Sequence, residues 1–547
     1  MQKEFQLISS VYKKTDTGDV VIANMKDVHT NVSEMVTFEN PQRPIYVTKK
    51  GLRSTFTDRK EFSMKHDLEE YIVPNHEMQS EIKKKLGLKP WARQKEVLDN
   101  PYVWAADVPI EVIIKQAYSS RASKPATEFK VGALDIETSV SGGKEIILNT
   151  YTHSDGQCFT AIFAPWLKDG ETLDLITKTT NDALDQFRDN LNKRGREMYD
   201  KLTAQHADNR LPLNFKIFTK EVDLVDWIMQ QIHRLRPDFI SIWNMGFDIQ
   251  YMLDRLSVHG VSHASVMCHP EVKHAHRVSK WIHDKSKSAA HFTRLWHWYD
   301  LTGPSQFIDT QALYSRLRTV EGMEASYALN YIATKLLGIG KLNFGVDGHA
   351  KMQRDRFVEY IAYNIVDTLL LVIMDMVTDD ISSMVFLTKD TNTAYYAKAT
   401  VQLRDSFYSY CKQHDRVPGS ISGNQAKPYD HMITNIGGGV LDPSLARGTG
   451  IPRLEESDED TYFHMMVADL DVTSEYPYLQ LTCNISKETK LGTVLTVDGL
   501  NGVGINDYFG HITSTMENAA YICSKFYGLP DYNGMLDCYD EFIRTTT

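Results

Sequence analysis

Apolar and polar positions change their spacing along the chain, and the changes mark out its regions. Up to about residue 128, short runs such as Phe5-Gln-Leu-Ile, Val20-Val-Ile-Ala and Pro44-Ile-Tyr-Val alternate with polar turns, and a lysine-rich helical stretch follows near 78–88. Short β-rich runs bounded by turns predict strands. Residues 1–128 are therefore expected to form a mixed α/β domain, whose lysines and arginines read as a solvated face. From Phe129 apolar strands interleave with helices: strands at 131–138, 144–148, 158–164 and 239–243, and helices at 181–204 and 220–235. This order predicts a sheet with its first strand in a central position. A strongly helical, apolar stretch covers 357–372, and a helical connector with a helix at 401–411 occupies 386–435.

Chemistry enters at Val131-Gly-Ala-Leu-Asp-Ile-Glu-Thr138. Side chains alternate across a strand, so Asp135 and Glu137 share one face about 7 Å apart, while Leu134 and Ile136 face a core. Two carboxylates with no Lys or Arg between them repel unless a cation sits there, and hard divalent ions such as Mg²⁺ take such oxygens. An isolated D-x-E is equally a solvated acidic face, so partners elsewhere decide. Asn244 precedes a helix expected to begin near Phe247, which places Asp248 in its first turn, just past a strand end; a helix-capping Asp gives the same pattern. On the 357–372 helix, Tyr363 and Asp367 stand at i and i+4, about 5–6 Å apart at Cβ on a buried flank.

At 547 residues the chain is expected to hold about three domains. Its 42% apolar and 24% charged residues are ordinary for a globular protein, and its net charge of -11 argues against a surface coated in basic residues. Six scattered cysteines without C-x-x-C read as reduced thiols. The sequence shows no signal-peptide core and no apolar run near ~18 residues, so a cytoplasmic, non-membrane protein is expected. The stretch 268–298 is rich in His (269, 274, 276, 283, 291, 297) and in Lys and Arg. Its spacing fits no standard zinc pattern, so either a basic insertion that contacts a phosphate backbone or a solvated loop is expected instead.

Taken in order, D-x-E at Asp135 and Glu137, N-x-x-F-D at Asn244, Phe247 and Asp248, and Y-x-x-x-D at Tyr363 and Asp367 resemble the Exo I, Exo II and Exo III motifs of 3′→5′ proofreading exonucleases. Phe307-Ile-Asp-Thr-Gln-Ala-Leu-Tyr and Ser326-Tyr-Ala-Leu-Asn-Tyr-Ile-Ala are similar to the intervening strand and helix of bacteriophage family-B DNA polymerases. The resemblance implies an α/β, RNase H-like (DnaQ-type) exonuclease domain over 129–385 that hydrolyses mispaired or single-stranded 3′ ends. Two Mg²⁺ (or Mn²⁺) ions about 4 Å apart activate water and neutralise the leaving oxygen in such enzymes. On that pattern Asp135 bridges the ions, Glu137 and Asp367 hold the one that activates water, and Asp248 acts on the second. Tyr363 orients the attacking water, its ordinary pKa near ~10 making it a poor base, and Phe247 packs by the terminal base.

Further on, Asn435-Ile-Gly-Gly-Gly resembles the family's Y-x-G-G linker, with Asn435 in place of Tyr. Residues 465–478 resemble polymerase motif A, with Asp471 as palm metal ligand and Tyr476 as ribose gate, although Glu475 and Tyr478 depart from the usual Leu and Ser. Neither a K-x-x-x-N-S-x-Y-G fingers motif nor a D-T-D-S palm motif follows before Thr547. An incomplete palm is expected over 436–547, its polymerase site completed by a second polypeptide carrying fingers, the rest of the palm and thumb, or by further sequence. DNA, that second chain, and a sliding clamp with other replisome proteins are the expected partners. The alternatives are a standalone exonuclease with a vestigial palm and a non-catalytic DNA-binding or assembly subunit; a binding module has no reason to gather four repelling acids.

Overall fold

A computed structural model describes residues 3–53, 62–140, 143–283, 297–318, 322–342 and 348–420. Asp471, Tyr476, the glycine run at 435–443 and residues 284–296 of the histidine-rich stretch lie outside them.

The N-terminal part is built on strands that alternate as their sequences dictate. Phe5–Thr15, Gly18–Asp27 and Ser33–Glu39 form an antiparallel sheet. Leu7, Val21, Ala23 and Met25 of this sheet pack against Ile110 and Ile114 of the helix Ile110–Ser119. A second sheet places Gln42–Thr48 between Leu68–Pro74 and Val103–Trp104. Late in the chain the helix Ala399–Gln413 is followed by Arg416–Pro418, which pairs antiparallel with Phe62–Met64.

The central layer is a six-stranded sheet in the order Leu213–Phe218, Cys158–Phe163, Ile146–His153, Val131–Thr138, Phe239–Ile242, Gln306–Asp309. Val131–Thr138 runs antiparallel to Ile146–His153 and parallel to Phe239–Ile242. This is the RNase H-like arrangement, with the acidic strand flanked on both sides. Alternation sorts its residues into two cores. Leu134 and Ile136 join Leu224, Ile228, Ile249 and Met252 from the helices Glu221–Leu235 and Met245–Val258 on one face. Ala133, on the other face, joins the helix Phe357–Thr378, whose Ile361, Ile365, Leu369 and Val372 are buried. Each such side chain, fully buried, contributes on the order of 1.5–3 kcal/mol. Phe357–Thr378 is long and apolar enough to cross a membrane, but 94% of its apolar window is buried, which makes it a core helix. Spread around all sides of a helix, that apolar content escapes a search for an uninterrupted run.

The structure departs from expectation between 173 and 203. The single helix expected at 181–204 is two, Leu173–Asn190 and Lys193–Thr203. Leu191 is extended, and Asn192 restarts the helix by accepting the Gly195 N–H at 2.8 Å. Asn192 also donates to the Leu336 carbonyl and, through its backbone, to that of Leu337, so it closes the end of a neighbouring helix as well. An Asn that satisfies two helix ends outweighs continuation of one helix.

The N-terminal sheet is joined to the central sheet through Asp238. Its carboxylate accepts from Lys26 Nζ at 2.6 Å, Asn24 Nδ2 at 3.1 Å, Ser33 Oγ at 2.5 Å and the Lys130 N–H at 2.9 Å. Lys26 and Asp238 are 1% and 0% exposed, so this is a charge pair held out of water by complete hydrogen bonding.

Candidate active site

Asp135 and Glu137 leave the acidic strand on the face covered by Phe357–Thr378, because i and i+2 share a strand face. Across from them that helix presents Tyr360, Tyr363, Asn364 and Asp367 on one flank, the i, i+3, i+4, i+7 set. One ligand oxygen from each of Asp135, Glu137 and Asp367 lies within 4.8 Å of the others. Asp248, in the first turn of Met245–Val258, is buried beside them and accepts the Ile136 N–H of the acidic strand at 3.2 Å. The three oxygens thus converge, while one oxygen of Asp248 is directed at the strand backbone.

Hydrogen bonds hold the group. Asn364 Nδ2 donates to Asp135 Oδ2 at 2.6 Å, and the Tyr360 hydroxyl donates to Glu137 Oε2. Lys341 Nζ donates to Asp367 Oδ2 at 2.5 Å and to the Tyr363 hydroxyl at 3.0 Å. Among the described residues it is the only cation paired with these acids. Asp367 Oδ1 is buried and receives no hydrogen bond from the described residues.

Four acids and one ammonium leave net negative charge in a partly enclosed space, where Asp248 and Asp367 are buried and Asp135 and Glu137 half-buried. Burial first, then Asp367, push the Asp135 carboxyl up to about 7, against the pull of Lys341 and Asn364. Burial and Asp135 raise Glu137 and Asp248 well above the usual carboxylate range, and burial raises Asp367 despite Lys341. Burial works against the Lys341 charge, but Asp367, Tyr363 and Asp135 outweigh it and keep the ammonium above its ordinary range. Burial, then Asp367, raise the Tyr363 phenol, so it remains protonated at neutral pH.

A divalent cation fits this donor set. The ligands are hard carboxylate oxygens, their charge is under-compensated, and a buried oxygen of Asp367 lacks a partner.

Asn244 occupies the cap position of its helix, which begins at Met245, earlier than expected. It adopts a left-handed conformation (φ 67°) and makes no side-chain cap. The first N–H of that helix, at Met245, instead donates to Asp309 Oδ2 at 3.1 Å, which also pairs with His297 Nε2 at 2.7 Å. Asp309 Oδ1 caps the helix Thr310–Leu317 through the Ala312 N–H, so one carboxylate ties down two helix starts. Phe247 is 46% exposed, its ring 5.4 Å from that of Tyr251.

The described part of the histidine-rich stretch forms no metal cluster. His233 and His269 rings meet edge to face at 5.1 Å, each bonding a backbone carbonyl, and burial pushes His233 down to about 4. Lys273 pairs with Glu39 at 2.6 Å, and Arg277 bonds the carbonyls of Val272 and Pro270.

Sequence reasoning missed Tyr360 and Asn364, although both fall on the helical face defined by Tyr363 and Asp367. It also missed Lys341, which lies between helices and carries no periodic signal.

The fold is of the RNase H-like class. Residues 81–332 match the family model described as DNA polymerase family B, exonuclease domain. A DNA-directed DNA polymerase of Escherichia phage RB69 is 26% identical over 322 residues, an alignment covering 58% of this chain and 30% of that relative. The chain is similar to the exonuclease-bearing N-terminal portion of a phage-type family-B DNA polymerase. Asp135, Glu137, Asn244, Phe247 and Asp248 lie within the family match; Lys341, Tyr363 and Asp367 lie beyond it and are joined to the others by the fold.

Proposed function

We propose that this chain hydrolyses single-stranded or frayed DNA from its 3′ end with the aid of divalent metal, as the proofreading domain of a DNA polymerase. The observation that carries this reading is the convergence of one oxygen from each of Asp135, Glu137 and Asp367 within 4.8 Å, beside a buried Asp367 oxygen that receives no hydrogen bond from the described residues. Bound Mg²⁺ or Mn²⁺ makes water a nucleophile near neutral pH and neutralises the leaving 3′-oxygen. Asp135, Glu137 and Asp367 are the residues that would hold the first ion, and Asp248, beside them, would serve a second. The protonated Tyr363 hydroxyl orients the attacking water rather than taking its proton. Phe247, exposed and next in sequence to Asp248, offers a face on which the terminal base stacks irrespective of sequence. The reading extends to Asp471 and Tyr476, which on their motif alone would contribute motif A to a polymerase site.

The test uses a 5′-labelled single strand with Mn²⁺. Wild type should give a ladder shortened one nucleotide at a time from the 3′ end, and Asp135→Ala and Asp367→Ala should give none. Equal degradation by wild type and Asp367→Ala, or cleavage that begins internally, would overturn the proposal.

A further inference from the structure

Tyr360 and Tyr363 stand one turn apart with rings stacked at 5.5 Å and 7°, yet their hydroxyls do different things. Tyr363 meets Lys341; Tyr360 gives its proton to Glu137 Oε2. With that proton committed, the Tyr360 oxygen can only accept, and it does so from Gln353 Nε2 at 3.2 Å and from His349 Nδ1 at 3.1 Å. Gln353 is itself fixed. Its Nε2 donates to the Thr138 carbonyl at 2.8 Å, and its Oε1 accepts the Val140 N–H at 3.0 Å. One buried amide therefore grips the backbone on either side of Ser139, just past the end of the acidic strand, and also holds the phenol that holds Glu137.

The geometry has a simple basis. Two residues along a strand advance about 7 Å and four along a helix advance about 6 Å. A donor pair at i and i+4 on the helix therefore comes into step with an acid pair at i and i+2 on the strand: Tyr360 with Glu137, Asn364 with Asp135.

We infer that Tyr360, anchored by Gln353, is a positioning residue that fixes the Glu137 carboxylate for metal ligation. The inference rests on the hydrolytic reading above. Partners of this kind cost about 10–100-fold in metal affinity when removed.

The experiment titrates the full chain with Mn²⁺ by calorimetry and measures melting in EDTA. Tyr360→Phe keeps the stacked ring and removes only the hydroxyl. It should weaken Mn²⁺ binding about tenfold, raise the Mn²⁺ needed for half-maximal hydrolysis in parallel, and leave the rate at saturating Mn²⁺ within a few-fold of wild type. Gln353→Leu should shift both Mn²⁺ readouts in the same direction. Binding by Tyr360→Phe within twofold of wild type would overturn the inference. So would lowered melting with unchanged Mn²⁺ affinity, the mark of a merely structural contact. A wild-type chain that binds no Mn²⁺ would remove the hydrolytic reading, and this inference with it.

Discussion

Replacing Asp135 with Asn should make the metal-free chain more stable while removing its proposed activity. Asp135 titrates near 3.8 when unperturbed, and burial beside Asp367 moves it to about 7 in the fold. The folded chain thus holds a proton that the unfolded chain has released, so stability falls as pH rises from about 4 through about 7. At about 1.4 kcal/mol per pKa unit, ionising this carboxyl costs at most about 4 kcal/mol above that window, and about 2 kcal/mol is a realistic share once partial solvent access is allowed for. Asn keeps an oxygen that can accept from Asn364 Nδ2, now 2.6 Å from the carboxylate, and carries no charge. In EDTA at pH 8, Asp135→Asn should melt a few degrees above wild type, with the gap closing as pH falls toward 4. Saturating Mn²⁺ should reverse the order, because binding to the folded state stabilises only the chain that can bind. Equal melting of the two chains at pH 8 in EDTA, or a gap that does not change with pH, would refute the reasoning.

Lys341→Met removes the one cation among the described residues that is paired with these acids, so the metal-free chain should melt several degrees lower at pH 8 and recover when Mn²⁺ is added. Its side chain is 30% exposed, which keeps the loss below the ~3–5 kcal/mol of breaking a fully buried pair. Lys26→Met strands the Asp238 carboxylate and should cost that full ~3–5 kcal/mol, read as a lower urea midpoint. Phe247→Ala removes an exposed ring, so stability should stay within ~0.5 kcal/mol. Binding of single-stranded DNA, followed by fluorescence anisotropy, should weaken by about 1–3 kcal/mol.

What was legible in the sequence follows from periodicity. A period of two puts Asp135 and Glu137 on one face and Leu134 and Ile136 in a core, and a period near 3.6 puts Tyr363 and Asp367 together. The same helical period also reaches Tyr360 and Asn364, which pass for core residues until the strand opposite shows what they meet. Lys341 and the Lys26–Asp238 pair are different in kind. Lys26 and Asp238 lie 212 residues apart in sequence, and no local pattern encodes a contact made by the packing of separate sheets. The interruption at Asn192 shows a local signal overridden by a distant one, since its bonds to the Leu336 and Leu337 carbonyls come from a helix over a hundred residues away.

The helix Phe357–Thr378 is both the centre of a core and the carrier of Tyr360, Tyr363, Asn364 and Asp367. Its amides should therefore exchange with solvent only through global opening, at the slow limit of the whole domain. An acidic site mounted on a loop could fray and re-form on its own; this one cannot come apart without the domain coming apart. Heat inactivation and unfolding should accordingly follow a single curve, and substitutions deep in the apolar flank, at Ile361 or Leu369, should move both midpoints together.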